Sequence, residues 1–253
     1  MQARCLPARR GAFWLLAGYQ LFRRNPPLIT ALTLSHMLLV QIAVRMLPAV
    51  SPFLLPMAWP AMVLIVANSV RIADQGNRML PGALFFGIKG NGVPMLRLGG
   101  LHLVGAFIFI GIVLLLEGSG VTFANFEKGD DPELLWSLLH LLLLSTPFLM
   151  AFMFAPYLTG WDGVPAAQSL FFSFVASVRN WRALLGYLLA VGAVAVAVPG
   201  LVLVLAALLS DSAAQVAQIV VSMLMVFLLG PVLTASIYVG YRDVFHPPPD
   251  EHV

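Results

Sequence analysis

Residues 183–209 read ALLGYLLAVGAVAVAVPGLVLVLAALL, a run without one charged side chain. About 20 apolar residues in helical form cross the roughly 30 Å of a bilayer's hydrocarbon, so this run is long enough to span a membrane. Five further runs of the same kind lie outward from it, at about Leu28 to Leu47, Phe53 to Val70, Met95 to Leu116, Leu134 to Tyr157 and Ala213 to Tyr241. Of the 253 residues 60% are hydrophobic and 10% charged, and the mean hydropathy is +0.92. A soluble domain is nearer 45–50% apolar and about 25% charged. The runs are apolar all round, whereas barrel strands alternate apolar and polar residues over about ten positions. A span must also satisfy its own backbone amides in hydrocarbon, which leaves helices. The expected fold is an all-α polytopic membrane protein: six transmembrane helices in three helical hairpins, each preceded by a short amphipathic interfacial helix, in a single membrane domain over 1–253.

The basic residues orient these spans. Arg4, Arg9, Arg10, Arg23, Arg24, Arg71, Arg78, Lys89, Arg97, Arg179, Arg182 and Arg242 fall on one side, and only Arg45 and Lys128 of the fourteen fall on the other. The positive-inside bias predicts both termini in the cytoplasm. The opposite loop, Glu117 to Glu133, adds Glu127, Asp130 and Asp131 against one lysine, as an external loop would. Topology therefore accounts for the net charge of +3 and the pI near 9.4. No nucleic-acid-reading motif accompanies them, and no such partner is expected. The N-terminus does not read as a secretion signal: the apolar stretch after Arg9-Arg10 is very short, no small-residue cleavage site follows, and Arg23-Arg24 interrupts it. Cys5, the single cysteine, reads as a plain thiol on the basic side.

The chain repeats itself. Phe22-Arg23-Arg24-Asn25 and Ser177-Val178-Arg179-Asn180 each lead into an apolar run, and Gly90-Asn91 takes the equivalent place between them. Pro60 precedes Arg71 by the interval that separates Pro231 from Arg242, while the middle unit has Asp162 near its end. The repeat-like units are about 8–78, 79–162 and 163–246. Each is expected to open with 10–14 residues lying in the membrane surface. Ala8 to Phe22 carries Phe13, Trp14, Leu16, Leu21 and Phe22 between arginine pairs able to snorkel to phosphates. Pro165 to Val178 sets Ser169, Ser173 and Ser177 in one stripe against Phe171, Phe172, Phe174 and Val175. These helices read either as anchors closing the inner rim or as surfaces that gather anionic lipid.

Polar groups inside spans are costly and often functional. His36 and His102 each follow their turn asparagine by eleven residues, placing them at similar depth; Val191 holds that position in the third unit. A paired-imidazole proton or metal site needs companions at ligand spacing, which these lack, so no metal or other cofactor is expected. Gln41, Gln215 and Gln218 are candidates for hydrogen bonds across helices. No span holds a central carboxylate, which removes the usual carriers of proton- or sodium-coupled transport, although Pro147, Pro156, Pro199 and Pro231 interrupt helices as in broken-helix transporters. Pro48, Pro52, Pro56 and Pro60 predict an extended turn followed by a helix kinked at Pro60. Asp131-Pro132-Glu133 reads as the start of the fourth span. Gly186 with Ala190 and Ala193 with Ala197 have the spacing of close helix contacts. No catalytic dyad, nucleophile elbow or nucleotide loop stands out.

Several segments resemble an uncharacterised family of proteobacterial six-helix inner-membrane proteins: Phe154-Ala155-Pro156-Tyr157, Trp161-Asp162-Gly163-Val164-Pro165, Ser169-Leu170-Phe171-Phe172-Ser173 and Arg179-Asn180-Trp181-Arg182-Ala183. The opening Leu6-Pro7-Ala8-Arg9-Arg10-Gly11, the segment Leu21-Phe22-Arg23-Arg24-Asn25-Pro26 and the closing Tyr241-Arg242-Asp243-Val244-Phe245 resemble it too. The resemblance implies a multi-pass protein of the bacterial inner membrane. It extends loosely to the multi-pass domains associated with glycerophosphodiester phosphodiesterases, whose catalytic domain this sequence lacks. It carries no activity to transfer; the candidate functional polar residues of the chain are His36, His102, Gln41, Arg179, Asn180, Arg24, Asn25, Trp161 and Asp162.

Two readings of function follow. The first is a non-enzymatic protein that organises lipids, anionic phospholipid at the cytoplasmic face included, or scaffolds a complex with a protein partner or further copies of itself. The second is a permease for a small or amphiphilic solute.

Overall fold

The computed structural model describes residues 3–76, 80–117 and 132–246, with the side chains of 116–117 and 132–139 left aside. The helices are α1 (Ala8–Phe22), α2 (Pro26–Met46), α3 (Ser51–Asp74), α4 (Pro81–Leu84), α5 (Gly92–Glu117), α6 (Pro132–Phe152), α7 (Ala155–Gly160), α8 (Ala166–Arg179), α9 (Trp181–Gly192), α10 (Val198–Leu209), α11 (Asp211–Leu224) and α12 (Gly230–Phe245). No strand occurs among the described residues. Six helical runs in them are long and apolar enough to cross a membrane: Pro26–Met46, Ser51–Asp74, Gly92–Leu115, His140–Gly160, Trp181–Leu209 and Asp211–Phe245. Each overlaps one of the six expected spans. The acidic residues of the loop at 118–131, Lys128 with them, lie outside the described residues.

Local chemistry starts and stops these helices. Asn25 caps α2 by accepting from the Leu28 amide at 3.3 Å, with Pro26 and Pro27 in the first turn, where no N–H is needed. The Ser210 hydroxyl caps α11 through the Ala213 amide at 3.1 Å. The four-proline segment departs from expectation. Only Pro48 lies in the turn, and α3 runs unbroken from Ser51 through Pro56 and Pro60. Pro60 has no N–H to offer the Pro56 carbonyl, yet the helix carries both prolines inside it.

Pro199 and Pro231 are met differently. Each follows a π-helical turn, Ala193–Ala197 before the first and Met225–Leu229 before the second. A wider turn gives room to the carbonyl that a proline ring would otherwise strike, so the fifth and sixth spans continue past their prolines. Pro156 instead ends a helix: α6 stops at Phe152 and α7 starts at Ala155.

The middle unit lacks the expected in-plane helix. Its counterpart is the single turn α4, followed by turns to Gly90. Gly82, Gly87 and Gly90 within nine residues make a helix costly, about 1 kcal/mol each relative to alanine. Gly87, at φ +83°, passes so close to the Gly160 carbonyl that a Cβ would collide with it. Asn91 donates to that same carbonyl at 3.1 Å, holding the turn over the end of α7.

The core gathers around α1. Its face Gly11, Trp14, Leu15, Gly18, Leu21 and Phe22 is buried against α9 and α12, and Gly11 lies so near the Ala183 carbonyl that no side chain fits between. Gly186 meets the Ala8 carbonyl in the same seam, so that small residue serves packing within the chain. The Trp14 indole donates to the buried Asp243 carboxylate at 3.0 Å, and Arg10 pairs with the same oxygen at 2.8 Å. The opposite face of α1, with Phe13, Leu16 and Tyr19, is exposed. By contrast, Pro199 is the one buried residue between Ala193 and Leu228. There α10 and α11 pack on each other as a two-helix arm.

Candidate functional site

The C-terminal ends of α3, α7 and α12 converge at one end of the bundle. On α3 the three-residue spacing of Asn68, Arg71 and Asp74 sets these polar groups along adjoining rows of one side. On α12 Tyr238, Tyr241 and Arg242 do the same. Between them stand Tyr157 and Trp161 at the end of α7, with Asp162 just beyond. Arg24 enters from the turn between α1 and α2.

Two carboxylates organise the cluster. Asp74 accepts from Arg242 Nη1 at 2.7 Å, Tyr238 OH at 2.9 Å and Arg24 Nη1 at 3.2 Å. Asp162 accepts from Tyr241 OH and lies 3.1 Å from His246 Nε2. Trp161 stacks on Tyr157, with ring centroids 4.9 Å apart, and stands edge-on to Tyr238 and Tyr241 at 5.7 and 5.4 Å. The Trp161 indole N–H donates to Asn68 Oδ1 at 2.9 Å. The Asn68 amide nitrogen donates onward to the carbonyls of Leu84 and Phe86 at 2.8 and 3.0 Å, so Asn68 is satisfied at both ends.

Arg71 has no such partner. Its guanidinium carbon lies 4.5 Å from the centre of the Phe86 ring and 5.2 Å from that of Trp161, attractive cation–π distances. Its Nη1 is buried without a hydrogen-bond acceptor among the described residues. Arg71 also lines a cavity of about 380 Å³ with Asn68, Ile72, Gln75, Leu80, Ala83 and Phe86. A second hollow of about 300 Å³, lined in part by Lys89, Asn91 and Gly160, shares Phe86 with the first. The cluster thus holds three arginines, of which Arg24 and Arg242 share Asp74 and Arg71 pairs with neither carboxylate, leaving cationic charge in surplus beside an open cavity.

Over 258 aligned residues the chain is 30% identical to a probable inner membrane protein of Burkholderia thailandensis, an alignment covering 97% of this chain and 94% of the relative. The chain belongs to the family of that protein. Membership and the six candidate spans together place it in the inner membrane as a multi-pass protein. No family model matches the sequence, and no solved structure matches it.

Of the residues expected to matter in this family member, Arg24, Trp161 and Asp162 enter the cluster just described. Asn25 serves as the α2 cap. Asn180 ties down the N-terminal segment: its Oδ1 accepts from the Leu6 amide at 2.8 Å, and its amide nitrogen donates to the Arg4 and Ala176 carbonyls at 2.8 and 2.9 Å. The Arg4 amide completes the tie by donating to the Val244 carbonyl at 3.0 Å. Arg179 is exposed, and its backbone carbonyl accepts from the Cys5 thiol at 3.2 Å.

His36 and His102 do not form an imidazole pair. Each instead lies on Trp59 of α3, His36 edge-on at 5.1 Å and His102 stacked at 6.4 Å. His102 also contacts the rings of Phe148 and Phe152 at 5.2 and 4.6 Å. Equal depth on two helices left their azimuth undetermined, and an aromatic side chain fills the space that a shared proton or metal would need. Among the described residues no group of three or more metal-binding side chains occurs. Gln41 and Gln215 are exposed without a hydrogen bond among the described residues, and Gln218 reaches only Ser222 of its own helix, at 3.5 Å. The expected interhelical glue is therefore absent from these three positions; their amides face outward.

The serine stripe of α8 faces inward, with Ser169, Ser173 and Ser177 all buried. Ser173 Oγ accepts from the Phe154 amide at 3.0 Å and donates to the Met150 carbonyl at 2.8 Å, where Ser177 Oγ also donates at 3.2 Å. These hydroxyls replace the backbone bonds lost at the α6–α7 break. Phe171, Phe174 and Val178 point outward.

Residue reading missed Asn68, Asp74, Tyr238 and Tyr241, and took Arg71 and Arg242 as topological charge. A signal was present: Asn68, Arg71 and Asp74 are regularly spaced at the end of an otherwise apolar run.

Proposed function

We propose that this inner-membrane protein is non-enzymatic and organises lipid, anionic phospholipid above all, at the end of the bundle that carries the arginine cluster, with that end and both termini in the cytoplasm. The observation that carries the reading is the outward aromatic face of the short helices. Phe13, Leu16 and Tyr19 on α1 and Phe171 and Phe174 on α8 are exposed, with exposed Arg9, Arg23 and Arg179 close by in sequence. Aromatic rings beside snorkelling arginines suit the headgroup boundary, and each basic group there contributes about 1 kcal/mol of attraction to an anionic surface. Scaffolding of a protein partner or a second copy would use the same faces.

Deleting α8 would also remove the serines that close the α6–α7 break, so the test is a surface change. Phe171→Ser with Phe174→Ser and Arg179→Glu is expected to reduce phospholipid retained through detergent purification, read by native mass spectrometry, while the melting temperature stays within a few degrees. Unchanged retention would defeat the reading.

A permease for a small or amphiphilic solute is the second reading, supported by the π-helical turns before Pro199 and Pro231, since interrupted helices line the sites of many transporters. It expects solute flux in reconstituted vesicles that falls on His36→Ala or His102→Ala.

A further inference from the structure

We infer that the cavity beside Arg71 is a binding site for a phosphate ester, with Arg71 as the group that recognises it. The inference starts from unequal pairing inside one cluster. Arg24 and Arg242 each have an ion-pair partner, sharing the single carboxylate of Asp74, which also accepts from Tyr238. Asp162 is occupied by Tyr241 and His246. Arg71 has neither carboxylate, and no other acceptor takes its Nη1 among the described residues. A guanidinium that is partly withdrawn from water and unpaired is costly, and charge-assisted hydrogen bonds to an oxyanion are the strong way to satisfy it.

The surroundings narrow the ligand. Phe86 and Trp161 flank the guanidinium, and the Trp161 indole is itself fixed by Asn68, so the group is held in place before a ligand arrives. Arginine's planar fork matches the paired oxygens of phosphate. Asn68 is already satisfied at both ends and contributes shape, not recognition. The rest of the lining includes Ile72, Leu80 and Ala83, which suits an ester carrying a short carbon skeleton better than a bare, fully hydrated ion. A volume of about 380 Å³ falls within the range of small-ligand sites, about 300–1,000 Å³. Arg71 also lies one turn inside the C-terminal end of a helix long and apolar enough to cross a membrane, where a basic side chain is able to reach headgroup phosphates. Phosphate ester is the shared chemistry of a lipid headgroup and a soluble glycerol phosphate. That the source is lipid rests on the function proposed above; the site does not.

The test uses the full chain in detergent with two probes, phosphatidylglycerol and glycerol 3-phosphate, and with diacylglycerol as the phosphate-free control, all read by native mass spectrometry. Arg71→Gln is expected to weaken phosphate-ester binding about tenfold or more, and Arg71→Lys, which keeps the charge without the fork, by a smaller factor. Ala83→Phe fills the cavity without touching Arg71 and is expected to act like Arg71→Gln, which guards against a folding defect in the arginine variants. Binding of phosphatidylglycerol alone assigns the site to a lipid headgroup, whereas glycerol 3-phosphate binding equally well assigns it to soluble esters. Diacylglycerol retained as well as phosphatidylglycerol, or binding unchanged in both Arg71→Gln and Ala83→Phe, overturns the inference. The α8 surface variant separates the two proposals: if it loses lipid while Arg71→Gln keeps it, the lipid function stands and the Arg71 site fails.

Discussion

The knot around α1 and the ends of α3, α7 and α12 differs from the α10–α11 arm in how its atoms are satisfied. In the knot Trp14, Tyr157 and Phe154 are almost fully buried, and carboxylates each collect two or three donors. In the arm, from Ala193 to Leu228, Pro199 alone is buried, and the backbone is satisfied within helical and π-helical turns. The difference follows from the solvent. A helix in lipid gains little by hiding one apolar surface from another, so the arm holds its form with few specific partners. Where the chain meets water and headgroups, polar groups need partners, and specificity collects there.

Four substitutions bear on this contrast. Trp14→Ala is expected to be the most damaging, at about 3–5 kcal/mol, because it removes the largest buried side chain of the α1 seam and leaves Asp243 without its indole donor; loss of a monodisperse folded species on size exclusion would register it. Asp74→Ala strands Arg24, Arg242 and Tyr238 together, and a cost of about 2 kcal/mol is expected, moderated by the exposure of Arg24, with a lowered melting temperature in detergent as the readout. Ser173→Ala leaves the Phe154 amide and one bond of the Met150 carbonyl unmet, a loss of about 1–2 kcal/mol that faster hydrogen exchange around the α6–α7 break would report. Leu208→Ala in the arm is expected to change the melting temperature least, by under about 0.5 kcal/mol. A large effect there would mean that the arm is packed against something other than lipid.

Much of the fold was legible because the bilayer imposes one coarse rule. A run such as 183–209 declares a span from composition alone, and the motif ending at Asn25 marks where the first span is about to begin. Azimuth was not legible. His36 and His102 share a depth, yet Trp59 divides them, and no count of residues from a turn tells which way a side chain points. Spacing showed that Ser169, Ser173 and Ser177 share a face; it did not show that the face meets a broken backbone and not water. Prolines misled too, since α3 runs through Pro56 and Pro60 without a break. Arg71 passed as one more basic residue near a helix end because its lack of a partner is a property of its neighbours.

The tie at the N-terminal segment bears on biogenesis. The Arg4 amide is held by Val244 and the Leu6 amide by Asn180, and the seat of α1 is assembled from α9 and α12. A nascent chain emerging from the ribosome therefore makes its opening helix long before the groove that receives it exists. That helix waits until the last span has been made, and its docking then closes the molecule.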